Sequence, residues 1–317
     1  MLSYAIKRVL FLVPVLLIIS FITFSLMHLI PGDPAVVMLG FEAVDPERLE
    51  IARQSLGLDK PLHIQYFLWL ERLFHGDFGV SPGTGKPVLE LLGKSSPFTL
   101  ELAIYALFLA IVVSIPLGTL AATSRFRVVN RIAEMLTLLG LSSPTFWVGS
   151  MFILLGTVYL RWFSILNYPP FLRAPIQSLW GFFLPALTLA IPSMATITRM
   201  VKASVLETKD EEYILTARAK GLGETAVVFK HILKNAMIPI ITTIGITAGY
   251  LLSGAIVVEQ VFAIPGIGRL GMQAITQRDY PTLQAVVLFA ALAFVLVNLL
   301  VDLLYAYLNP KVTYGSN

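Results

Sequence analysis

The sequence contains no cysteine and few charged residues. None of its 317 residues is Cys, and only 13% are Asp, Glu, Lys or Arg, which is about half the share that is usual in soluble domains. Without cysteine, disulfides, thiolate nucleophiles and Cys-ligated zinc are excluded. The 4 histidines never stand three or four residues apart. The sequence therefore predicts neither a metal site nor a catalytic site based on these residues.

Apolar residues dominate instead, at 56% of the chain with a mean hydropathy of +0.79. Several apolar runs in the sequence are long enough to cross a membrane. Together they predict an all-α integral membrane protein. The 22-residue run Val9–Ile30 is longer than the apolar core of a signal peptide, so we expect an uncleaved first span. In the third run, Pro144 with Gly140 and Gly149 predicts a kink. The six transmembrane helices are predicted at about 9–30, 99–122, 132–160, 181–200, 237–259 and 283–307.

Basic residues predict the orientation of these spans. With the N-terminus inside, the inner segments 1–8, 123–131, 199–236 and 308–317 hold 13 Lys and Arg in 65 residues. The outer segments hold the other 10 in 111 residues. Since basic residues favour the cytoplasmic side, both termini are expected to be cytoplasmic.

The long outer segment 31–98 predicts two short helices. One begins after Asp45 with Pro46 at its first position, and the other carries an amphipathic set around Phe67. The segment is either a small cap over the outer mouth or a docking surface for an extracytoplasmic partner. Asp33 and Asp77 are candidate docking residues for that partner.

A polar stretch of about thirty residues interrupts the apolar runs between the fourth and fifth spans. Thr208 and Glu211 fit a capping box, which predicts a helix over 209–220 that stops at Gly221. A second helix is expected from Thr225 toward Asn235. The stretch either lies on anionic lipid through its lysines or docks a cytoplasmic protein. The candidate docking residues are Glu212, Tyr213, Ile214, Leu215, Thr216, Ala217, Arg218, Lys220 and Gly221.

Two glycine-rich motifs do not predict nucleotide binding. "GIGRLG" at 266–271 follows a span instead of a strand, so a glycine-rich outer turn against the neighbouring spans is expected. "SPGTGKP" around Lys86 lacks the first Gly and the final Ser or Thr of a phosphate loop. ATP is therefore expected to bind partner subunits. We predict no cofactor, no enzymatic activity and no nucleic-acid partner for this chain.

Spans four and five carry small and hydroxylated residues that suit either tight packing within the chain or the wall of a translocation path. Ionisable residues are nearly absent from the middle of the spans, which counts against a proton-coupled secondary transporter. A membrane enzyme would need a catalytic set, and a simple anchor would not explain the polar stretch. The candidate path or interface residues are Thr196, Thr242, Gly245, Gly249 and Ser253.

The stretch "EEYILTARAKGLGETAVVFKHILKNAMIPIITTIG" strongly resembles the cytoplasmic coupling loop of ABC-importer permeases in the dipeptide, oligopeptide and nickel family. "HLIPGDP", "GLDKPLHIQYFLWLERLFHGDFGVS", "VVEQVFAIPGIGRLGMQAITQRDYP" and "LVNLLVDLLYAYLNPKV" resemble the same family, so the resemblance covers nearly the whole chain. In the family's E-A-A motif, Leu215 stands at the Glu position, while Ala217 and Gly221 match. The ATPase salt bridge of the motif is therefore not predicted here, unless Glu211 or Glu212 supplies the carboxylate.

The resemblance implies a type I ABC-importer permease fold in a bacterial or archaeal inner membrane. It implies a first span plus outer cap (1–98), a permease core (99–308) that contains the coupling loop 201–236, and a cytoplasmic tail (309–317). The implied partners are a second homologous permease, two ATP-binding cassette ATPases, an extracytoplasmic solute-binding protein and membrane lipid. Dipeptides or oligopeptides are the expected cargo, and nickel complexes or glutathione are the alternatives.

Overall fold

The computed structural model describes residues 2–29, 35–36, 45–162 and 168–308, and their regular structure is helical. Within these ranges, the one β-type pairing is an isolated bridge between Val80 and Pro87. The helices are α1 (Leu2–Leu29), α2 (Pro46–Leu56), α3 (Leu62–Phe74), α4 (Val88–Thr123), α5 (Arg127–Ser142), α6 (Thr145–Phe152, continued as a π-helix over Ile153–Tyr159), α7 (Pro175–Lys209), α8 (Glu212–Ala219), α9 (Glu224–Val261, π-helical over Val227–Ile232), α10 (Ile267–Gln277) and α11 (Tyr280–Leu308).

Four of these helices are long and apolar enough to cross a membrane, namely α4, α7, α9 and α11. The count rises to five if α5 and α6 together form one broken span. In α1, the apolar stretch with described side chains is Leu10–Ser25, which is shorter than a full span. The first predicted span, at about 9–30, and the predicted orientation therefore stay predictions.

The third predicted span is broken, which confirms the kink expected at Pro144. α5 and α6 meet at an angle of 105°. Ser143, the residue before Pro144, is extended (φ −83°, ψ 124°). The proline ring disfavours helical geometry at the preceding residue, so α5 ends there and α6 begins afresh.

The chain divides into two compact units. The first comprises residues 1–5, 100–264 and 296–317, and the second comprises residues 6–99 and 265–295. Both units combine segments that are distant in the sequence. The predicted boundaries at residues 98 and 308 divide the chain by membrane topology instead of by internal contacts, and they stay predictions.

α7 is the central helix of the first unit. Its apolar window is 61% buried, against 22–33% for the windows of the other three long spans. α5, α6 and α9 all pack on it. α4 also approaches α7 closely at Gly118, where an added Cβ would lie 2.8 Å from the carbonyl oxygen of Thr198. Any side chain at Gly118 would force these two helices apart.

Two side-chain clusters organise the second unit. Near α1, Phe24 contacts the rings of Tyr66 and Trp69 at centroid distances of 5.5 and 5.7 Å, and the Ser20 hydroxyl lies 2.8 Å from the Tyr66 hydroxyl. The other is a buried apolar cluster from α4, α10 and α11. Its members are Val88, Leu92, Ile267, Ala285 and Val286, with Phe78, Leu270 and Phe289 packed against it.

Local signals place the start of α2 as predicted, and they also explain its end. Asp45 caps its N-terminus by accepting a hydrogen bond from the Glu47 amide at 3.0 Å, and Pro46 is the first helical residue. Gly57 ends the helix in the left-handed region (φ 70°). Pro at the first position and Gly after the last are typical of helices.

The prediction of a glycine-rich turn at 266–271 is wrong, because Ile267–Gln277 is a helix. Gly271 faces α11, and an added Cβ would lie 2.9 Å from a methyl group of Val286. The glycine therefore allows two helices to approach each other. The contact with Val286 compensates for the low helix propensity of glycine.

Candidate functional site

The polar stretch between α7 and α9 folds into α8 and a sharp corner. The predicted start of its helix at 209 is wrong, since α7 continues to Lys209 and α8 begins at Glu212. The expected capping box does not form, because the Thr208 hydroxyl donates to the carbonyl of Ser204, one turn back in α7, at 2.8 Å. A threonine whose hydroxyl is bonded within one helix cannot cap the next.

The end of α8 follows the prediction. The helix ends at Ala219, and Gly221 takes the left-handed conformation (φ 77°) that glycine adopts without strain. The Gly221 amide donates to the carbonyl of Arg218 at 2.9 Å. The expected second helix exists, but it is the first part of α9, which runs without a break past Pro239 to Val261.

α8 has one buried face and one exposed face. Ile214 is fully buried and Ala217 is 7% exposed. α8 packs against the π-helical turns of α9, where Val227, Val228 and Ile232 are buried as well. The buried face therefore holds α8 on its own chain.

Two predicted docking residues, Ile214 and Ala217, thus lie on the buried face. The residues of the other face remain open to a partner. The exposed members of the predicted set are Glu212, Tyr213, Leu215, Thr216, Lys220 and Gly221.

Four large apolar or aromatic side chains lie on the exposed surface around α8. Leu215, which takes the place of the motif Glu, is 59% exposed, and Tyr213 is 43% exposed. Leu222 in the corner and Phe229 at the start of α9 add to this surface, at 43% and 63%. The sequence did carry a signal for these two, since both are large apolar residues within a polar stretch.

An ion pair joins α8 to α9. The guanidinium of Arg218 donates twice to the carboxylate of Glu224, with nitrogen–oxygen distances of 2.7 and 3.2 Å. The hydrogen bond to Glu224 raises the pKa of Arg218, so this side chain stays charged.

The surroundings of the Tyr213 hydroxyl change its pKa. Partial burial raises its pKa above the ordinary value, and the carboxylate of Glu211 adds to that rise. The side chain of Asn235 lowers this pKa and so works in the opposite direction. The phenol is therefore protonated at neutral pH and can take part in neutral hydrogen bonds.

The candidate path residues occupy three kinds of position. Thr196 and Thr242 donate to carbonyls of their own helices, to Pro192 at 3.0 Å and to Ile238 at 3.2 Å. Gly245 and Gly249 are buried, and an added Cβ on Gly245 would overlap with Val301 of α11. Ser253 is exposed. The stripe of small residues on α9 is thus divided between contacts within the chain and an open face.

Sequence reasoning missed the open face of α9. Ile246 and Tyr250 are 53% and 69% exposed, and Ser253 and Gln260 are exposed as well. Positions 246, 250, 253 and 260 follow helical spacing and lie on one face. This spacing is visible in the sequence, but the small residues Gly245 and Gly249 form a more obvious pattern, and that pattern predicted a different face.

Of the two candidates for outer docking, only Asp77 lies within the described residues. Its carboxylate accepts from the amide of Gly79 at 2.9 Å and so holds a turn. Asp33 lies outside the described residues.

Near Asp77 in the sequence, Ser81 donates to the buried carboxylate of Asp279 at 2.5 Å. Asp279 also accepts from the amide and hydroxyl of Thr282 at 3.1 and 2.8 Å, and so caps α11. No pattern in the sequence indicates this role for Asp279.

The described residues include no group of three or more His, Asp or Glu side chains placed to hold a metal ion. The charged groups near α8 are instead paired with each other or exposed to solvent. The exposed charged groups near α8 are available for contacts with a partner protein.

Comparison with known proteins covers almost the whole chain. Residues 114–314 match the family described as "Binding-protein-dependent transport system inner membrane component". Residues 1–103 match the family described as "Binding-prot-dependent transport system membrane comp, N-term".

Two relatives are similar over their full length. A "Putative peptide transport system permease protein" of Brucella abortus (strain 2308) is 40% identical over 314 residues, which are 99% of this chain and 100% of that protein. The glutathione transport system permease protein GsiC of Salmonella typhimurium is 40% identical over the same shares.

Among solved structures, an inward-facing form of the MetNI methionine ABC transporter is similar in fold. It has a TM-score of 0.56 at 19% identity, over 70% of this chain and 97% of that one. An amino acid ABC transporter solved with histidines gives a TM-score of 0.52, also at 19% identity, over 70% and 94%. The helical fold of this chain is therefore that of ABC-importer membrane subunits.

Proposed function

Because the chain belongs to the family of binding-protein-dependent transport system inner membrane components, we propose that it forms half of the translocation pore of a peptide importer. As a member of this family it is a multi-pass inner-membrane permease of an ABC importer, and it is a non-catalytic subunit. Permeases of this class work with ATPase subunits and a binding protein. A second homologous permease and two ATPases complete the proposed complex.

The observation that carries this proposal is the exposed apolar face of α8. Leu215 and Tyr213 are 59% and 43% exposed, on a short helix whose opposite face is fixed to α9. Exposed apolar surface of this kind is characteristic of binding sites for proteins. We infer that the ATPase subunit covers this face, and that its contact here is mainly apolar because Leu215 replaces the motif Glu. Glu211 and Glu212 remain exposed and are candidates for a supplementary ionic contact.

The proposed mechanism is alternating access. ATP binding draws the two ATPases together and displaces α8, which then moves the spans around the path. With both termini in the cytoplasm, as the distribution of basic residues favours, α8 lies on the side where ATP is present. The outer segment 31–98, with Asp33 and Asp77, is then available to the binding protein.

The open face of α9 is a candidate wall of the translocation path. Tyr250 lies 11 residues before the end of α9 at Val261, or about 16 Å along the helix axis. This depth is close to the middle of the predicted span. A hydroxyl facing lipid there would lack a partner. Tyr250 is therefore proposed to face the partner permease or the path. Thr196, Thr242 and Ser253 are proposed to line it as weakly polar walls that do not hold the cargo tightly.

Peptides are the proposed cargo because one full-length relative is named as a peptide permease, with 40% identity. Glutathione is the second candidate, since a relative of equal identity is named for it and glutathione is itself a tripeptide. Nickel complexes are a third alternative. In all three cases, specificity is expected to reside largely in the binding protein.

The cargo is tested by uptake into proteoliposomes that contain the whole transporter and its binding protein, with ATP inside. The probes are a radiolabelled dipeptide, radiolabelled glutathione and ⁶³Ni²⁺. Uptake of the dipeptide supports the proposal. Uptake of glutathione or nickel alone selects the corresponding alternative, and ATP-independent uptake of any probe would contradict the importer mechanism.

Docking is tested by the amount of ATPase that co-purifies with the tagged chain. Leu215→Asp places a charge on the exposed face of α8 and is expected to lower it about tenfold, as for an interface hot spot. Ile51→Asp is the control, since Ile51 is 60% exposed but belongs to the outer segment. Ala217 is unsuitable for this test, because it is buried against its own chain. Unchanged co-purification with Leu215→Asp would refute docking through this face.

A further inference from the structure

The corner between α8 and α9 is closed by a pair of charged side chains. Arg218 lies in the last turn of α8, and Glu224 is the first residue of α9. The two planar groups meet side by side, with nitrogen–oxygen distances of 2.7 and 3.2 Å. A bidentate pair of this kind fixes orientation as well as distance.

The backbone at this corner contains two glycines with open space around them. Between the helices lie Gly221 and Gly223, and an added Cβ on either would meet no atom within 4 Å. Glycine has the greatest conformational freedom of all residues. Without a side-chain tie, this corner could therefore open or rotate.

The buried face fastens the rest of α8. Ile214 and Ala217 are buried, and α8 packs against the π-helical turns of α9. α8 is thus attached to α9 along this face and at its C-terminal end. α7, in contrast, leads to α8 through Asp210 and the exposed Glu211.

We propose that Arg218 and Glu224 are positioning residues, which with the buried Ile214 and Ala217 make α8 and the first turns of α9 one rigid body. Displacement of α8 is then passed directly to α9. Arg218 does not contact the ATPase in this proposal, although the sequence placed it among the docking residues. The inference rests on the proposed function, since it concerns the transfer of movement after the ATPase has bound.

Charge reversal separates positioning from docking. If Arg218 binds Glu224, then Arg218→Glu and Glu224→Arg each place like charges together, and the double variant restores an opposite pair. If Arg218 binds the ATPase, the double variant is as defective as Arg218→Glu. The measurement is ATP hydrolysis by the reconstituted complex, stimulated by its binding protein, compared with the amount of ATPase that co-purifies.

We expect each single reversal to lower stimulated hydrolysis about fivefold or more, in the range of ordinary coupling energies between sites. The co-purified ATPase should stay within about twofold of the parent, and the double reversal should restore hydrolysis. Lys94→Glu is the matched control, because Lys94 pairs with Glu90 at 2.6 Å within a single helix and ties no two elements together. Normal hydrolysis in both single variants, or failure of the double variant to recover, would overturn the proposal.

A distance measurement tests rigidity independently of hydrolysis. The chain has no cysteine, so Thr216→Cys and Lys234→Cys, both at exposed positions, give one spin-label pair across α8 and α9. In the intact complex, we expect a single narrow distance distribution with and without ATP and vanadate. Arg218→Gln should broaden it, and Lys94→Gln should not. A distribution that is equally narrow in all variants would refute the role of this ion pair.

These readouts distinguish the two possible failures. Loss of the ATPase from the parent complex would contradict the proposed docking of α8. Retention of the ATPase, together with an unaltered distance distribution in Arg218→Gln, would contradict only the rigid-body inference.

Discussion

Replacing Ile214 with alanine is expected to loosen α8 from α9 without unfolding the chain. Ile214 is fully buried on the face of α8 that packs on the π-helical turns of α9. The change removes three carbon atoms from this contact, or about 2.4 kcal/mol at about 0.8 kcal/mol for each buried methylene. The cavity adds a further amount, so a total of about 3 kcal/mol is expected, within the range measured for Ile→Ala in cores.

Hydrogen exchange measures this loss directly. If the amides of α8 exchange through local opening, a decrease of about 3 kcal/mol in the free energy of opening accelerates exchange about 100-fold, since about 1.36 kcal/mol corresponds to a factor of ten. The assay is hydrogen–deuterium exchange with mass spectrometry on the intact transporter. Peptides from α4 provide the internal reference, because they lie far from α8 in the sequence and should not change.

Leu215→Ala is the control, since its side chain is 59% exposed. A surface substitution of this kind changes stability by about 0.5 kcal/mol or less, so exchange should stay within about threefold of the parent when no ATPase is present. Two results would refute the reasoning: exchange in Ile214→Ala within threefold of the parent, or equal acceleration in both variants. Either would show that the buried face does not hold α8.

Three shorter predictions concern other parts of the chain. Gly245→Leu should lower the melting temperature of the purified protein by several degrees, because its Cβ would overlap with Val301, and Val301→Ala should recover part of the loss. Asp279→Ala should lower the free energy of unfolding by about 1–3 kcal/mol, because it leaves the buried Ser81 hydroxyl without its acceptor. Asp279→Asn should lower it less, and thermal unfolding measures both variants. Tyr250→Cys should react with a water-soluble maleimide at least tenfold faster than Ile240→Cys, which is fully buried, and equal rates would contradict a path along this face.

The sequence predicted the elements whose signals are local. Asp45, Pro46 and Gly57 fix the ends of α2 through capping and backbone geometry, and Pro144 breaks the third span because it disfavours a helical residue before it. Gly221 ends α8 because a left-handed residue is needed there. Each of these effects depends on a few neighbouring residues, so a single sequence is enough to identify it.

Features that depend on distant contacts were not predicted. Thr208 carries a good capping signal, but α7 continues through it and uses its hydroxyl internally. Gly271 favours a turn by propensity, yet the contact with Val286 makes it part of a helix. Gly245 could have faced a partner or its own chain, and only the position of Val301 decides. Arg218 and Glu224 meet only because the corner between them turns back.

The proline within α9 has a mechanical consequence. Pro239 has no amide hydrogen, so the carbonyl of Asn235 lacks its helical bond and α9 bends most easily there. Glu224 lies 15 residues before Pro239 and Val261 lies 22 residues after it, which gives arms of about 23 Å and 33 Å. If the shorter arm alone swings about this hinge by about 5°, its end moves by about 2 Å. The bend at Pro239 then absorbs this stroke, so the longer arm of α9 can stay in place while α8 moves.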